Sequence, residues 1–338
     1  MKIERERLMQ ALEIVKPGLS TKEMIEQSTS FAFMGGRIVT YNDEISISHP
    51  IPEMDITGAV KADELYQLLN KIKAKEVSIA IVENELRIKA VKARAGITLQ
   101  SEIQLPLEEL GDIGKWKKCP ALLRQAMQFT MFSCSTDNSK PKLTCVHVMK
   151  EGRVESCNNF RLTQFMLGEK VPIDDFLIPV NSVKALVGYN FTYMAQGQGW
   201  VHFKTDEDTI FSCRVFDEEY PDVSPLFDVP GEPFKLPATL LELLDKAAVF
   251  SKREHFLDEV VEITITADGK LKIRSQDDIG WFEEETAMGE GTWKDLTITI
   301  NPTFLKDVLT QDAPCIVTDT RMKFTGENWE HVVALVKK

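Results

Sequence analysis

The chain repeats itself, and few folds allow that. Three successive stretches, each roughly 110 residues long and so the size of one small domain, pass through the same series of local features. Each opens on an amphipathic helix. The first carries Arg5, Leu8, Leu12 and Val15 and ends at Lys16-Pro17-Gly18. The second follows Pro120 and carries Leu122, Leu123, Ala126 and Met127. The third follows Pro237 and carries Leu240, Leu241, Leu244 and Ala248. Steps of three and four place these apolar residues on one helical face. A proline just ahead of the apolar run is a start signal for the second and third.

After each helix comes strand, glycine turn, strand, Asx turn, strand. In the first stretch these are Phe31–Met34, Gly35-Gly36, Arg37–Thr40, Asn42-Asp43 and Glu44–Ile47. In the second they are Cys145–Val148, Glu151-Gly152, Arg153–Ser156, Asn158-Asn159 and Arg161–Thr163. In the third they are Val261–Ile265, Asp268-Gly269, Lys270–Ile273, Asp277-Asp278 and Trp281-Phe282. Alternating apolar residues between such turns make antiparallel strands. A second helix then follows in each, over Asp63–Lys73, Asn181–Tyr189 and Pro302–Thr310, and further hairpin strands close each stretch. Asn301-Pro302 is a cap followed by a first-turn proline.

Boundaries fall at Gly111-Asp112-Ile113-Gly114 and at Val229-Pro230-Gly231-Glu232-Pro233, giving domains 1–113, 114–230 and 231–338. The expected class is α+β: three repeated domains, each with two helices packed on antiparallel sheets. Repetition by itself implies only a duplicated scaffold.

Composition narrows the function. Of 338 residues, 43% are hydrophobic and 27% charged, an ordinary globular balance, and the formal charge is -12 with the acid surplus in the third stretch. A chain this acidic does not grip nucleic acid from outside with a general basic surface, though a few cations gathered on one inner surface would. No basic start followed by an apolar run reads as a signal peptide, and no apolar run reaches membrane-spanning length, so the expected setting is cytoplasmic. Cys119, Cys134, Cys145, Cys157, Cys213 and Cys315 form no C-x-x-C pair and are expected to be small buried apolar residues. Phosphate-binding glycine loops, a G-x-S-x-G elbow and an H-E-x-x-H helix are all absent, and the five histidines are scattered. Asp206-Glu207-Asp208 lies between strand-like runs and reads as a hairpin turn before it reads as a metal site; Glu283-Glu284-Glu285 reads as a solvated charge run. Neither an enzyme nor any metal or cofactor is expected, and an unrecognised carboxylate pair such as Asp206 with Asp208 is the remaining catalytic alternative.

Six stretches resemble one family in order and spacing. Met1-Lys2-Ile3-Glu4-Arg5-Glu6-Arg7-Leu8 looks like an opening helix, and Val60-Lys61-Ala62-Asp63-Glu64-Leu65 like a second-helix entry. Ser156-Cys157-Asn158-Asn159-Phe160-Arg161-Leu162 resembles A-T-D-G-H-R-L, and Ile178-Pro179-Val180-Asn181-Ser182-Val183 resembles I-V-P-R-K-G-V. Phe211 to Asp217 with Tyr220-Pro221-Asp222 resembles F-x-S-x-L-x-D-G-x-F-P-D-Y, and Ile300 to Leu309 resembles F-N-x-x-Y-L-x-D-V-L. The family is the bacterial sliding clamp, the beta subunit of DNA polymerase III, and the resemblance covers essentially the whole chain. The shorter chain and divergent loops look more like a viral or mobile-element clamp than a chromosomal one.

The resemblance implies a ring-shaped homodimer with sheets outside and helices lining a hole for double-stranded DNA. It implies partners as well: a DNA polymerase, a clamp loader and other proteins that carry a short clamp-binding peptide. DNA-contact candidates are Arg5, Lys22, Lys71, Lys73, Lys75 and Arg124, then Asn138, Lys140, Lys142, Lys184, Lys252 and Arg253, with Lys306. Of these, Lys22 and the loop from Asn138 to Lys142 align with family DNA-contacting loops; the others rest on helix position, where a solvated helix face is the plain alternative. The family's peptide pocket maps onto Cys157, Asn159, Phe160, Arg161, Leu162, Pro221 and Leu226, joined by Asn301, Phe304, Val332, Val333, Ala334, Leu335 and Val336. Core strand packing is the plain alternative for its apolar members. Asn159-Phe160 stands where the family has Gly-His, and Ala334-Leu335-Val336-Lys337-Lys338 where it has M-P-M-R-L. Head-to-tail closure would set Val249 and Phe250 against Ile97 and Leu99 of a second copy. The alternative is a clamp-like interaction module that does not encircle DNA.

Overall fold

The computed structural model describes residues 1–337; Lys338, the last residue of the expected third domain, lies outside them. The described residues form six α-helices: α1 (Arg5–Val15), α2 (Ala62–Lys71), α3 (Leu123–Thr130), α4 (Val180–Leu186), α5 (Leu240–Ala247) and α6 (Pro302–Leu309). Each stretch runs helix, four strands, helix, three strands, with Lys2–Glu4 and Lys117–Lys118 as short strands ahead of α1 and α3.

Turn chemistry explains the repetition. The first turn of each stretch carries a glycine in the left-handed region, at Gly36 (φ 68°), Gly152 (φ 98°) and Gly269 (φ 81°), where a side chain would be strained. The second turn is the same device three times over. The Asn42 N–H donates to Ile45 O at 3.0 Å while Asn42 Oδ1 accepts from Ile45 N at 3.0 Å. The corresponding pairs are Asn158 with Arg161, at 2.9 and 2.9 Å, and Asp277 with Gly280, at 2.9 and 2.8 Å. A side-chain acceptor two atoms from the backbone closes such a turn without a second strand, which is why Asn or Asp is needed there.

The chain forms two compact units, and the second stretch contributes to both. One comprises Met1–Gln125, Met149–Glu151 and Glu169–Glu218; the other comprises Ala126–Val148, Gly152–Gly168 and the chain from Glu219 onward. The first unit is built on one twelve-stranded antiparallel sheet. Within it, α1 lays the fully buried Leu8, Leu12 and Val15 on strands Arg37–Tyr41 and Ile45–Pro50. Tyr189, just past α4, donates its hydroxyl to Ile14 O, tying α4 to the end of α1.

In the second unit a four-stranded sheet, Trp281–Ala287, Lys270–Gln276, Val261–Ile265 and Leu296–Ile300 in that order, packs beneath α5 and α6. Leu240, Leu244, Ile263, Ile273, Leu305 and Val308 form its core. Six further strands of this unit lie side by side in the order Cys145–Val148, Arg153–Cys157, Arg161–Met166, Trp329–Ala334, Arg321–Thr325, Cys315–Val317, as part of a seven-stranded sheet.

Two strand pairings join neighbouring stretches, and they are equivalent. The third strand of the first stretch, Ile45–Pro50, pairs with the last strand of the second, Ile210–Arg214. The third strand of the second stretch, Arg161–Met166, pairs with the last of the third, Trp329–Ala334. The strands left over are Trp281–Ala287, bonded only to Lys270–Gln276, and Arg94–Gln100, whose Arg94–Thr98 portion is bonded on one side alone among the described residues. No helix of the described residues is long and apolar enough to cross a membrane.

Candidate functional site

The second unit gathers most of the expected pocket residues at the seam between Arg161–Met166 and Trp329–Ala334. Cys157, Leu162 and Val332 sit in one apolar cluster with Leu143, Val223, Phe227 and Val229, against which Tyr220 and Ile316 pack. The last six were not legible in the sequence, except that the Tyr220-Pro221-Asp222 turn marks where they enter. Leu226 is 37% exposed on a short turn, Ser224–Phe227, at the edge of the cluster. That turn is pinned from four sides. Asp222 Oδ1 accepts from Ser224 N at 3.0 Å, and Arg153 Nη1 donates to Ser224 Oγ at 2.9 Å. Lys323 Nζ donates to Phe227 O at 2.9 Å, and Arg321 Nη1 to Leu226 O at 3.4 Å. The bonds from Ser224 hold the Asp222 carboxyl below the usual carboxylate range. Beneath the cluster the Tyr220 hydroxyl donates to Cys157 Sγ at 3.2 Å, and burial pushes both groups up.

A second cluster adjoins it through Arg161. Its guanidinium is buried, ion-paired to Asp307 on α6, and donates to Phe132 O. It lies 4.4 Å from the Phe304 ring centroid and 5.3 Å from that of Phe132. Burial lowers the pKa of the guanidinium and Asp307 opposes the change; a cation so enclosed needs its carboxylate. Phe160 is 38% exposed, with its ring 6.2 Å from Phe304; on another side Phe256, 47% exposed, is 6.5 Å away, edge-on.

Several expected pocket residues have other duties. Val333 is fully buried in the third-stretch core, because alternate residues of a strand face opposite ways and Val332 turns to the cluster of Cys157 and Leu162. Phe304 and Leu335 also pack on that core. Asn301 caps α6, accepting from Thr303 N at 2.9 Å and Phe304 N at 3.3 Å, and its amide donates to Phe256 O at 2.8 Å. Pro221 belongs to the entry turn, Asn159 and Ala334 are exposed beside Phe160, and Val336 is 47% exposed.

The expected DNA-facing residues divide into engaged and unengaged groups. In the first unit Lys22, Lys71, Lys73, Lys75 and Lys184 are without an ion-pair partner among the described residues. Arg5 donates to Leu69 O at 3.3 Å and Arg124 to Val187 O at 3.4 Å. The loop bearing Lys22 is anchored by Gln27, which is fully buried at φ 63°. Gln27 Nε2 donates to Glu102 O at 2.8 Å and its Oε1 accepts from Gln104 N at 2.8 Å. A glutamine of this kind looks like any surface residue in a sequence. In the second unit Lys252 is paired with the buried Glu259 at 3.1 Å, Lys306 with Asp245, and Arg253 donates to Lys252 O and Gln276 O, each at 2.7 Å. Those three cations are committed locally. Lys140 Nζ reaches Asn159 Oδ1 at 3.3 Å and Lys142 Nζ reaches Glu219 O at 3.2 Å, while Asn138 is exposed between them and the Asp137–Ser139 turn.

The residues expected at a subunit contact differ in accessibility. Val249 is 62% exposed and Phe250 half-buried against Gly280; nearby Ile279 and Trp281 are 92% and 63% exposed and were not singled out from the sequence. Ile97 is half-buried. Leu99 is 4% exposed and packs on Gly58 of its own unit, so it cannot serve as an outward anchor.

Asp206 and Asp208 form part of a hairpin turn. Asp206 Oδ1 accepts from Thr192 Oγ1 at 2.7 Å, and Asp208 Oδ2 from Arg37 Nη1 at 2.8 Å. Among the described residues no group of three or more His, Cys, Asp or Glu is placed to hold a metal ion. All six cysteines are buried and no disulfide joins them.

Comparison with known proteins bears on this arrangement. No protein-family profile matches the chain. It is 23% identical over 344 residues to the beta sliding clamp of Lactococcus lactis, spanning 91% of this chain and 88% of that protein. It is 24% identical over 352 residues to the beta sliding clamp of Streptococcus pneumoniae R6, with the same coverage. The beta subunit from DNA polymerase of Streptococcus pyogenes superposes with a TM-score of 0.88 at 19% identity, over all of this chain and 99% of that one. The fold is therefore that of the DNA polymerase III beta chains, carried by a strongly diverged sequence.

Proposed function

We propose that this chain is a DNA sliding clamp: a processivity factor that catalyses nothing, encircles duplex DNA as a closed pair of chains, and tethers replication proteins through the apolar site of its second unit. The reading draws on the full-length likeness to beta sliding clamps. One observation carries it furthest. Two equivalent strand pairings join consecutive stretches, and the two strands that would make the third such pairing, Trp281–Ala287 and Arg94–Gln100, are left with free edges.

Free edges of this kind invite another chain. Head-to-tail pairing of one copy's Trp281–Ala287 with the other's Arg94–Thr98 repeats the internal junctions and closes the set with two copies. Charge favours it. Lys89 stands directly across from Arg94, a repulsive cross-strand pair, and the partner strand brings acidic Glu283, Glu284 and Glu285, which are shared with Lys272, Lys246 and Lys270 of their own chain. The exposed Ile279, Trp281 and Val249 would be covered in such a contact.

Retention by topology suits a chain of net charge -12. Each firm phosphate contact adds affinity and salt dependence and slows sliding. A ring needs few, and Lys22, Lys71, Lys73, Lys75 and Lys184, uncommitted within the chain, are the ones available. Clamp function implies work alongside DNA in the cytoplasm.

The test is loading onto nicked circular DNA, followed by gel filtration in moderate salt. A clamp stays with the circle and is lost when a restriction enzyme linearises it. A clamp-like interaction module that does not encircle DNA would show no difference between circle and line.

A further inference from the structure

We infer that a row of unpaired cations on the open face of the first unit's twelve-stranded sheet is a docking site for an acidic, extended segment of a partner protein. The inference stands apart from the clamp reading and from the apolar site of the second unit.

One end of that sheet is formed by Lys2–Glu4, Glu76–Val82, Glu85–Lys89 and Arg94–Gln100, in that order. Alternate residues of a strand face opposite ways. Val77, Ile79, Leu86 and Ile88 take the buried side, none more than 2% exposed. The register sets the other side. Lys2 pairs with Ser78, Ser78 with Lys89, and Lys89 with Arg94, so one row across the strands carries three cations and one hydroxyl. All three cations are exposed and without an ion-pair partner among the described residues. In the next row Arg87 stands between Ala80 and Gly96 and holds Glu85 at 3.0 Å. Small residues beside long cations leave an open trough of about 850 Å³, with Ser78, Ala80 and Gly96 in its lining.

The fold does not need this row. Lys89 and Arg94, directly opposite, repel each other. A lysine on an edge strand deters unwanted pairing, which accounts for Lys2. It does not account for Lys89, whose strand is bonded on both sides. Unpaired cations that cost stability, gathered in a chain of net charge -12, fit a ligand that brings the missing carboxylates.

The ligand's chemistry follows from the spacing and the lining. Strands lie about 4.8 Å apart, so the row from Lys2 to Arg94 is about 14 Å long. A single small anion cannot meet all of it. In an extended peptide, carboxylates at alternate positions recur about every 6.8 Å, and three of them come within reach of all three cations. No aromatic ring lines the trough among the described residues, so single-stranded nucleic acid finds no surface on which to stack its bases. The small residues between the cations let a peptide backbone lie close to the sheet.

Arg94 belongs to the strand whose edge head-to-tail pairing would use, so the test rests on Lys2 and Lys89. The probe is a labelled, end-capped nonapeptide in which three glutamates alternate with threonines, followed by fluorescence anisotropy on the intact protein at low ionic strength. A chain this acidic repels such a peptide overall, so binding reports a local site. The expected result is binding that weakens as salt is added. It should weaken about four- to ninefold on Lys2→Gln/Lys89→Gln, at about two- to threefold for each exposed pair removed. Lys235→Gln/Lys294→Gln, the same loss of charge in the second unit, should leave it nearly unchanged. Thermal unfolding should find Lys2→Gln/Lys89→Gln no less stable than the unaltered chain, since the repulsion with Arg94 is gone. Absence of binding at low salt overturns the inference, as does equal binding of the peptide with glutamine in place of glutamate. Equal weakening in the two double variants, or a lowered thermal midpoint for Lys2→Gln/Lys89→Gln, overturns it too. A thymidine dodecamer that binds more tightly than the peptide and depends on the same two lysines would make the face a nucleic-acid site and overturn the choice of occupant.

Discussion

Two side chains show how single residues set the terms in the second unit. His331 is fully buried, its Nδ1 2.7 Å from Thr163 Oγ1, and burial beside the Arg161 cation pushes its pKa down to about 3. The folded state holds the ring neutral, whereas the unfolded chain takes up a proton near the ordinary value of about 6.5. Its contribution is thus fully present above about pH 6.5 and falls as the pH drops toward 3, by about 1.4 kcal/mol per unit in between. Urea midpoints at pH 7 and pH 5 should differ accordingly, and His331→Gln should flatten the difference. Asn301 is the other case. Asn301→Ala removes the acceptor for two N–H groups at the start of α6 and the donor to Phe256 O, and should cost about 1 kcal/mol or somewhat more in chemical denaturation. At this scale the sequence was legible where chemistry is local. Asn301-Pro302 reads as a cap, and Asn42, Asn158 and Asp277 read as turns, because the partner atoms lie within three residues. The side chains fixed by distant partners did not show. Gln27 meets Glu102 and Arg161 meets Asp307, and no spacing rule connects them.

Among the elements, the periodic ones were found and the ends were not. The six expected helices form, the first of each stretch where its apolar spacing puts it, but the second helices stop short: α2 at Lys71 rather than Lys73, α4 at Leu186 rather than Tyr189, and α6 at Leu309 rather than Thr310. Val332 and Val333 illustrate the limit for strands. Alternation says that the two face opposite ways, and only the sheet's neighbours decide which side is the site and which the core. Leu99 was misjudged for a related reason: an edge position is outward only if its own sheet leaves it so, and Gly58 allows Leu99 to fold inward. Free strand edges belong to this scale as well. Ile279→Asp and Trp281→Asp change residues that are 92% and 63% exposed in the single chain. Neither should lower the thermal midpoint appreciably, yet each should shift the sedimentation mass from that of a pair toward that of one chain. Unchanged mass in both would place the contact elsewhere.

For the whole molecule, the internal repeat was the strongest feature of the sequence, and it survives as three equivalent Asx turns and two equivalent strand junctions. Composition alone would have pointed away from DNA. On the proposed clamp reading, retention by closure rather than by charge would reconcile an acidic chain with a nucleic-acid partner, and closure is testable without reference to affinity. Gly96→Cys and Glu283→Cys place reactive thiols on the two free edges, while the six native cysteines are all buried. A flexible bis-maleimide applied after loading onto circular DNA would seal both junctions of a ring covalently. If the chain encircles DNA, the sealed protein stays on the circle through SDS and comes free once the circle is cut; release by SDS from an intact circle, despite complete cross-linking, would contradict encirclement outright.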